Sequence, residues 1–277
     1  MCLYNSLILR VKKKLNYSVI VTVYNEELFL GKCLDTIINQ TIPPTEVIVV
    51  DDNSTDNSGV IIDRYPFKKI FSTEPKHDQR WKNRVKAFKL GLDSITKSTE
   101  LILKIDSDII IPDYYAETLI AHFQKDSNLA ACSAIQNPNQ FHPLPRNGAI
   151  MYKFDALNSD EIQEVYAWDR WILLWFLERG YNLHVDESLR YTEMRDSILS
   201  DREAKRSGMV RRRENYPLKN VLFQAFFQGG LKSLYFLLGY FTGAGASRHN
   251  KQFIITYAKK EEHDRMQYIF KRLGVSN

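Results

Sequence analysis

The sequence lacks several features that would assign a protein to a class at once. Its three cysteines, Cys2, Cys33 and Cys132, are far apart and do not have the spacing of a zinc site. An odd number of scattered cysteines argues against a disulfide framework, so we expect a reduced, cytoplasmic compartment. The glycine-rich phosphate motifs GxGxxG and GxxxxGKS/T are absent, which argues against a Rossmann dehydrogenase or a P-loop enzyme.

Long apolar runs and a strong net charge are also missing. The most membrane-like segment, LYFLLGYFTGAGA at residues 234–246, is shorter than the roughly 20 apolar residues that a spanning helix needs. The opening residues MCLYNSLILRVKKKL place their charges after a short apolar run, so we expect no signal peptide. A net charge of +5 over 277 residues is too small to indicate nucleic acid as a partner.

The apolar pattern predicts a doubly wound α/β fold. Residues 17–24 and 46–50 are rich in β-branched side chains without polar alternation, which is typical of strands covered on both faces of a parallel sheet. Between them, apolar residues recur at helical spacing. Further strands are predicted at 68–72, 100–105, 129–135 and in GAIMYKF, with helices between most of them. This alternation continues to about residue 190.

The composition changes after residue 195. We therefore predict an α/β domain over residues 1–195 and a helical C-terminal region over residues 196–277, which is first basic and then aromatic. A basic and aromatic helix can lie on an anionic membrane. It can equally pack on the α/β domain or on a second subunit.

Two predicted strands end on carboxylates, at Asp51-Asp52 and at Asp106-Ser107-Asp108. Ligands of open parallel sheets bind at the carboxyl ends of the strands. Clustered carboxylates repel one another unless a cation or a donor-rich ligand is present, and Mg²⁺ binds one or two carboxylates together with phosphate oxygens. We predict that Asp108 binds a metal ion, and that Asp52 accepts hydrogen bonds from a nucleoside. Asp51 is expected to cap the loop or to point into the fold.

Three segments in this order carry a more specific signal: VIVTVYNEELFLGKCLDTIINQT, EVIVVDDNSTDNS and ILKIDSDIIIP. Together they resemble the nucleotide-sugar-dependent glycosyltransferases of family 2, over roughly residues 17–190. The resemblance implies the GT-A fold, a Rossmann-like and mostly parallel sheet flanked by helices, here with a helical C-terminal appendage. It also implies a nucleotide-diphosphate sugar as donor substrate.

The family resemblance assigns roles to residues of both acidic strand ends. It implies that a DxD-like element holds Mg²⁺ or Mn²⁺ on the donor diphosphate, which matches Asp106 and Asp108. The nucleoside would be held by residues at the ends of the first two strands, namely Thr22, Tyr24, Glu26 and Asp52.

The same resemblance implies a catalytic base at the start of a later helix, within AWDRWILLWFLERGY. Asp169 takes this position, with Trp168 where the family commonly has Glu. A carboxylate there could remove the proton of the acceptor hydroxyl, although an Asp in a first helical turn is also stabilised by the helix dipole. Trp168 is a candidate for stacking on the acceptor, with core packing as the alternative.

The sequence departs from the family in the segment before the second acidic strand, where relatives commonly carry ARN. Here it reads KHDQRWKNRVKAFKLGL, and Arg80, Lys82 and Arg84 are candidates for contacts to the base or the diphosphate. Arg195 and Arg211–Arg213 are further candidates for the diphosphate. Exposure to solvent is the alternative for each of them.

These observations favour a metal-dependent, inverting glycosyltransferase that uses a UDP- or GDP-sugar. Its acceptor would be a hydroxyl of a lipid-linked or cell-surface glycan. Because lipid-linked acceptors are common in the family, the membrane interpretation of the C-terminal region is favoured, on the cytoplasmic face, with a homo-oligomer as a further expectation. One alternative is transfer to a polyprenyl phosphate, which is already ionised and needs no base. The other is a non-catalytic module that binds nucleotide or glycan.

Overall fold

A computed structural model describes residues 15–72, 80–136, 143–157, 159–195, 200–243 and 249–273. The opening segment, on which the expectation about a signal peptide rests, lies outside these residues.

The first part of the chain alternates strands and helices, as the apolar pattern predicts. Its elements are β1 (Tyr17–Val23), α1 (Leu30–Ile38), β2 (Glu46–Asp51), α2 (Ser58–Ile62), β3 (Lys68–Phe71), α3 (Arg80–Asp93), β4 (Leu101–Asp106), β5 (Ile109–Ile110), α4 (Tyr115–Lys125), β6 (Leu129–Ile135), β7 (Ala149–Lys153), α5 (Trp168–Glu178), β8 (Asn182–Arg190) and β9 (Thr192–Glu193). The later part is helical, with α6 (Asp201–Arg213), α7 (Leu218–Gln228), α8 (Gly230–Thr242) and α9 (Lys251–Leu273).

Seven strands form one sheet in the order β3-β2-β1-β4-β7-β6-β8. All neighbours are parallel except β7, which runs antiparallel to both β4 and β6. A second sheet of two short strands pairs β5 with β9. The predicted mostly parallel sheet is therefore confirmed, while the β5–β9 pair is an addition that the apolar pattern did not reveal.

The sheet is covered on both faces, and β1 shows why its residues do not alternate in polarity. Val19 and Val21 belong to the core that contains Leu30 and Leu34 of α1. Ile20, pointing the other way, belongs to the core formed with α3 and α5. Because successive side chains of a strand point to opposite faces, a sheet buried on both sides requires apolar residues at nearly every position.

The C-terminal helices complete the second of these cores. Tyr216, Val221, Phe236 and Ile254 share one buried cluster with Trp171 of α5. The predicted helical C-terminal region is confirmed, and its side chains pack on the α/β layers. The boundary at residues 195 and 196 stays a prediction.

Helices α6 and α8 cross at very short range because both carry glycine at the contact. A Cβ added to Gly208 would lie 1.8 Å from the carbonyl oxygen of Phe236, and one added to Gly239 would lie 1.8 Å from that of Lys205. Only a residue without a side chain permits this approach. The crossing fixes α8 against α6 and leaves the other side of α8 facing away from the core.

Candidate functional site

The two acidic strand ends lie on either side of β1, at one edge of the sheet. Strand β1 pairs with β2 and with β4, both in parallel. In this register Val23 is the partner of Asp51, and Thr22 is the partner of Asp106. The fold therefore brings the carboxylates of the two segments to the place where ligands of parallel sheets bind.

The loops that follow β1 and β2 are hydrogen-bonded to each other. Asn25 and Asn53 have positive φ angles of 53° and 57°, a conformation that asparagine tolerates better than most residues. The Asn25 N–H donates to Ser54 Oγ at 3.0 Å, and the Glu26 N–H donates to Ser58 Oγ at 2.8 Å. These contacts hold Glu26 in a fixed position at the sheet edge.

The adjacent residues Asp51 and Asp52 have different surroundings. Asp51 is buried, and its Oδ1 accepts from the Ser54 N–H at 2.9 Å. It caps the loop, which is one of the two positions expected for it. The Asp52 N–H donates to the Val23 carbonyl at 2.8 Å, which extends the pairing of β2 with β1 by one residue. The nucleoside contact of Asp52 stays a prediction.

Arg195 connects the loop after β1 with the second acidic segment. Its Nη2 lies 2.5 Å from Glu26 Oε2, and its Nε lies 3.6 Å from Asp108 Oδ2. The β5–β9 pair delivers Arg195 to this place, since the Met194 N–H donates to the Asp108 carbonyl at 2.8 Å. A guanidinium in this position can bind the oxygens of a phosphate group.

In the second acidic segment, the carboxyl group of Asp108 has a raised pKa. Burial, and then the charge of Asp106, raises the pKa of Asp108, which Arg195 and Arg84 partly offset. Burial raises the pKa of Glu26 as well, again against Arg195 and Arg84. Arg84 is exposed on α3 and lies within electrostatic range of both carboxylates. The structure thus brings together five predicted site residues.

Glu193 adds a third carboxylate near Asp106 and Asp108. Burial, and then the charge of Asp108, raises its pKa, while Gln136 Nε2 donates to its Oε2 at 2.6 Å. Sequence reasoning missed Glu193, and no local signal could have found it, because the pairing of β9 with β5 is non-local.

The residues present fit a divalent cation that also contacts its substrate. Among the residues that the structure describes, no group of three or more His, Cys, Asp or Glu side chains could hold a metal ion. Asp106 and Asp108 supply two carboxylates, and their mutual repulsion is relieved by positive charge. Mg²⁺ typically uses one or two protein carboxylates and fills its other positions with water and phosphate oxygens.

A buried lysine orients Asp106. The Lys104 ammonium is 2% exposed, forms an ion pair with Asp106 Oδ1 and donates to the Asn147 carbonyl at 2.8 Å. This contact leaves Oδ2 of Asp106 for a ligand. Lys104 was also missed, although a signal exists: it lies two residues before Asp106, on the same face of an otherwise apolar strand.

Asp169 lies in the first turn of α5, after Ala167 with a φ of 60°. Burial, and then the charges of Asp169 and Asp106, raises the pKa of the Tyr152 hydroxyl. Both carboxylates are therefore within electrostatic range of one phenol. Tyr152 is thus within reach of the charges both at the start of α5 and at the acidic edge of the sheet.

The next residue, Arg170, ties this turn to the C-terminal helices. Its Nε lies 3.2 Å from Glu214 Oε2, and its Nη2 donates to the Tyr216 hydroxyl at 2.6 Å and lies 3.7 Å from Glu261 Oε2. Burial lowers the pKa of Arg170, but these neighbours outweigh it and raise the pKa well above its usual value. The helical region thus fixes the segment that carries Asp169.

Two of the three arginines at 211–213 serve this packing. Arg211 donates to Gln224 Oε1 at 2.9 Å, and Arg213 donates to the Tyr166 carbonyl. These guanidinium groups therefore make contacts within the protein, and the expectation that this run contacts the diphosphate stays a prediction.

Trp168 also differs from its predicted role. Its side chain is 5% exposed, and its ring stacks on Phe88 with centroids 5.1 Å apart. This corrects the expectation of an acceptor platform, because the core alternative holds.

Lys82 places its ammonium 5.6 Å from the centroid of the Trp81 ring. Tyr24 is partly exposed after β1, and the side chain of Arg80 lies outside the described part of the chain.

The mostly parallel seven-stranded sheet with its flanking helices has the GT-A fold. Comparison with known proteins gives the family. The family model described as "Glycosyl transferase family 2" matches residues 18–175, more than half of the chain. The chain belongs to this family.

Individual relatives agree with this assignment. Glycosyltransferase GlyG of Streptococcus pneumoniae serotype 4 is 35% identical over 113 residues, which are 40% of this chain and 36% of GlyG. The chain thus aligns with about a third of that relative.

Solved structures agree in fold. The mannosyltransferase PcManGT from Pyrobaculum calidifontis, in complex with GDP-Man and Mn²⁺, has a TM-score of 0.61 at 18% identity. The match covers 90% of this chain and 74% of the PcManGT chain. S. aureus TarS 1-349, in complex with UDP-GlcNAc, has a TM-score of 0.54 at 20% identity. The match covers 77% of this chain and 72% of the TarS chain.

Proposed function

We propose that this protein transfers a sugar from a UDP- or GDP-sugar to an acceptor hydroxyl, with inversion at the sugar and with Mg²⁺ or Mn²⁺ bound. The observation that carries the proposal is the cluster of Glu26, Asp108 and Arg195, with Asp106 beside it, at the ends of β1 and β4. The complexes of PcManGT with GDP-Man and Mn²⁺, and of TarS with UDP-GlcNAc, support this choice of donor.

The donor would lie across the ends of β2, β1 and β4. Its nucleoside contacts Thr22, Tyr24, Glu26 and Asp52. Its diphosphate contacts Arg84 and Arg195, the two cations that lower the pKa of Asp108. Asp106 and Asp108 would hold the metal ion, and a bound divalent cation would supply positive charge next to the departing diphosphate.

Asp169 would accept the proton of the acceptor hydroxyl. Its position in a turn fixed by Arg170 suits a base, which must stay at hydrogen-bonding distance from the acceptor oxygen. The acceptor is a glycan, lipid-linked or at the cell surface, reached from the cytoplasmic face of a membrane.

Calorimetry with UDP and GDP, each with and without Mn²⁺, tests the donor site. We expect one of the two nucleotides to bind with Mn²⁺ and to bind at least about tenfold more weakly without it, because the diphosphate then faces uncompensated carboxylates. Asp108→Asn should remove this dependence on metal. Asp113→Asn, an exposed carboxylate in the turn after β5, is the matched control and should behave like the wild type.

Either of two binding results would contradict the proposal. If neither nucleotide binds in the presence of Mn²⁺, or if Asp108→Asn binds as the wild type does, the acidic edge is not the donor site. Nucleotide binding without sugar transfer to any acceptor would instead favour a binding module.

A further inference from the structure

Helices α7 and α8 expose an unusual amount of apolar surface. Eight large apolar side chains on these two helices are between 41% and 80% exposed: Leu218, Leu222, Phe226, Phe227, Leu231, Leu234, Leu238 and Phe241. An exposed apolar surface of this size on one part of a protein commonly marks an interaction site. We call these eight residues the apolar face.

The apolar face is separate from the side of each helix that packs on the core. On α7, Leu218, Leu222 and Phe226 recur every four residues, whereas Val221 and Ala225 are buried. On α8, Leu231, Leu234, Leu238 and Phe241 form one stripe, whereas Phe236 and Tyr240 are buried. Residues three and four apart share one side of a helix. Each helix therefore has two apolar sides, and the residues that the structure describes bury only one of them.

The turn between the helices favours this arrangement. Gly229 and Gly230 have positive φ angles of 68° and 53°, and a Cβ added to either would meet nothing within 4 Å. These glycines let the chain change direction between α7 and α8 without a steric contact. Both helices can then lie along one surface.

The charged residues on α7 and α8, and in the sequence that follows them to residue 260, have one sign. No Asp or Glu occurs at residues 215–260, whereas this stretch contains six basic residues: Lys219, Lys232, Arg248, Lys251, Lys259 and Lys260. Lys219 and Lys232 lie on α7 and α8 themselves, next to Leu218 and Leu231. Apolar side chains flanked by lysine, with no carboxylate, complement a surface that is apolar inside and anionic at its edge.

We propose that the apolar face binds the surface of an anionic lipid bilayer, with α7 and α8 lying in the interface. Within the described residues, no helix is both long and apolar enough to cross a bilayer, so the helices lie on the membrane. Their leucine and phenylalanine side chains enter the acyl region, and Lys219 and Lys232 remain among the headgroups.

A second copy of this chain fits the face less well. Symmetric dimers use the same surface on both subunits. Such a contact would bring Lys219 and Lys232 of both copies into one interface, and neither α7 nor α8 carries a carboxylate to pair with them. An anionic headgroup layer supplies the missing negative charge.

Cosedimentation of the full chain with lipid vesicles tests the proposal. One set consists of phosphatidylcholine alone, and the other of phosphatidylcholine and phosphatidylglycerol in equal parts. We expect binding to the anionic set that weakens at least about tenfold between about 0.1 M and about 1 M NaCl, because salt screens the headgroup charge. Equal binding to both sets, or no binding to the anionic set, would overturn the proposal.

A matched pair of double variants locates the contact. Phe226→Ser with Leu234→Ser should reduce vesicle affinity about a hundredfold or more, because two inserted side chains are lost. Ile38→Ser with Val60→Ser removes two apolar side chains that are also about half exposed, on α1 and α2, and should bind as the wild type does. If both double variants bind alike, the apolar face is not the contact.

Two further measurements keep the outcome decisive. Circular dichroism establishes whether each variant is folded. If Phe226→Ser with Leu234→Ser is not folded, the proposal is tested by the binding of the wild type to the two vesicle sets and by the salt dependence of that binding. Light scattering without lipid gives the oligomeric state. A wild-type dimer that Phe226→Ser with Leu234→Ser dissociates, together with absent vesicle binding, would show that the face binds a second copy and would overturn the lipid assignment.

Discussion

The carboxylates at the sheet edge have different roles because their surroundings differ. Asp51 uses its oxygen to accept a backbone hydrogen bond from Ser54. Asp108 is partly buried and has another carboxylate, Asp106, beside it, and both raise its pKa. A partly buried carboxylate that has another carboxylate beside it is suited to bind a ligand, whereas one satisfied by its own loop stabilises the fold.

Asp169→Asn tests the proposed base at the scale of one residue. We expect turnover with a hydroxyl acceptor to fall about a hundredfold to ten-thousandfold, because an amide cannot accept the proton. Nucleotide affinity should be unchanged, since the proposed donor contacts lie at the ends of β1, β2 and β4. Steady-state kinetics together with calorimetry measures both quantities.

Asp155→Asn is the control for this substitution. Asp155 is an exposed carboxylate in a short turn after β7, and its loss should leave turnover unchanged. Unchanged turnover of Asp169→Asn on every acceptor would contradict the role as base. It would favour an acceptor that is already ionised, such as a polyprenyl phosphate.

Asp186 gives a prediction about pH. Burial raises its pKa, but hydrogen bonds from Ser188 and from His122, the latter at 2.8 Å, outweigh it and hold the pKa below its usual value. Such a group stabilises the fold above the unfolded pKa of about 3.9, and this contribution is lost as the pH falls through the folded pKa. Asp186→Asn should therefore lower the free energy of unfolding by about 2 kcal/mol at neutral pH.

Urea unfolding at neutral and at acidic pH measures this difference. The gap between wild type and Asp186→Asn should narrow as the pH falls below about 4, because the unfolded wild-type chain then binds a proton at Asp186 that the folded protein does not. The neighbouring exposed Glu187→Gln is the control and should change stability little. A gap that is the same at both pH values would argue against the depressed pKa.

At the scale of elements, the link between α5 and the C-terminal helices gives a prediction about the position of the proposed base. Arg170→Lys keeps the charge but loses the fork that contacts Glu214 and Tyr216 together. We expect kcat to fall about tenfold, because a small displacement of the first turn of α5 moves Asp169 relative to the acceptor. The KM for the donor should not change.

The other end of the same helix provides the control. Arg179 stacks over the Trp175 ring at 3.7 Å from its centroid, away from this network, so Arg179→Lys should leave kcat unchanged. A rise in donor KM with unchanged kcat in Arg170→Lys would show that the residue acts on donor binding, and not on the position of the base.

The strands that carry the site were predictable at this scale, and the ones that complete it were not. Strands β1, β2 and β4 are marked by mostly apolar runs, and the runs of β2 and β4 end on aspartate. Strands β5 and β9 have two residues each, too few for any periodic pattern. Their pairing is decided by the fold, and it is what brings Arg195 to Asp108.

For the whole molecule, the shared core predicts that a chain ending at residue 195 does not fold by itself. Removal of α6–α9 would expose the side of α5 that packs on Tyr216, Val221 and Phe236. It would also leave Arg170 without Glu214 and Glu261. We expect no cooperative thermal transition for this fragment by calorimetry, whereas the full chain should show one.

A folded fragment would contradict this expectation. Cooperative unfolding of residues 1–195, with nucleotide binding retained, would show that the predicted boundary separates two independent domains. The helical region would then serve mainly to bind a surface outside the chain.

The sequence by itself determined the layers of this protein and the chemistry of its sheet edge. Apolar runs that end on Asp51-Asp52 and on Asp106 predict both, because strand burial and strand termination are local properties of the chain. Only the tertiary structure decided the partners: Lys104 beside Asp106, Arg195 between Glu26 and Asp108, and the core position of Trp168. These contacts join residues that a linear pattern does not relate, since each depends on how distant elements pack.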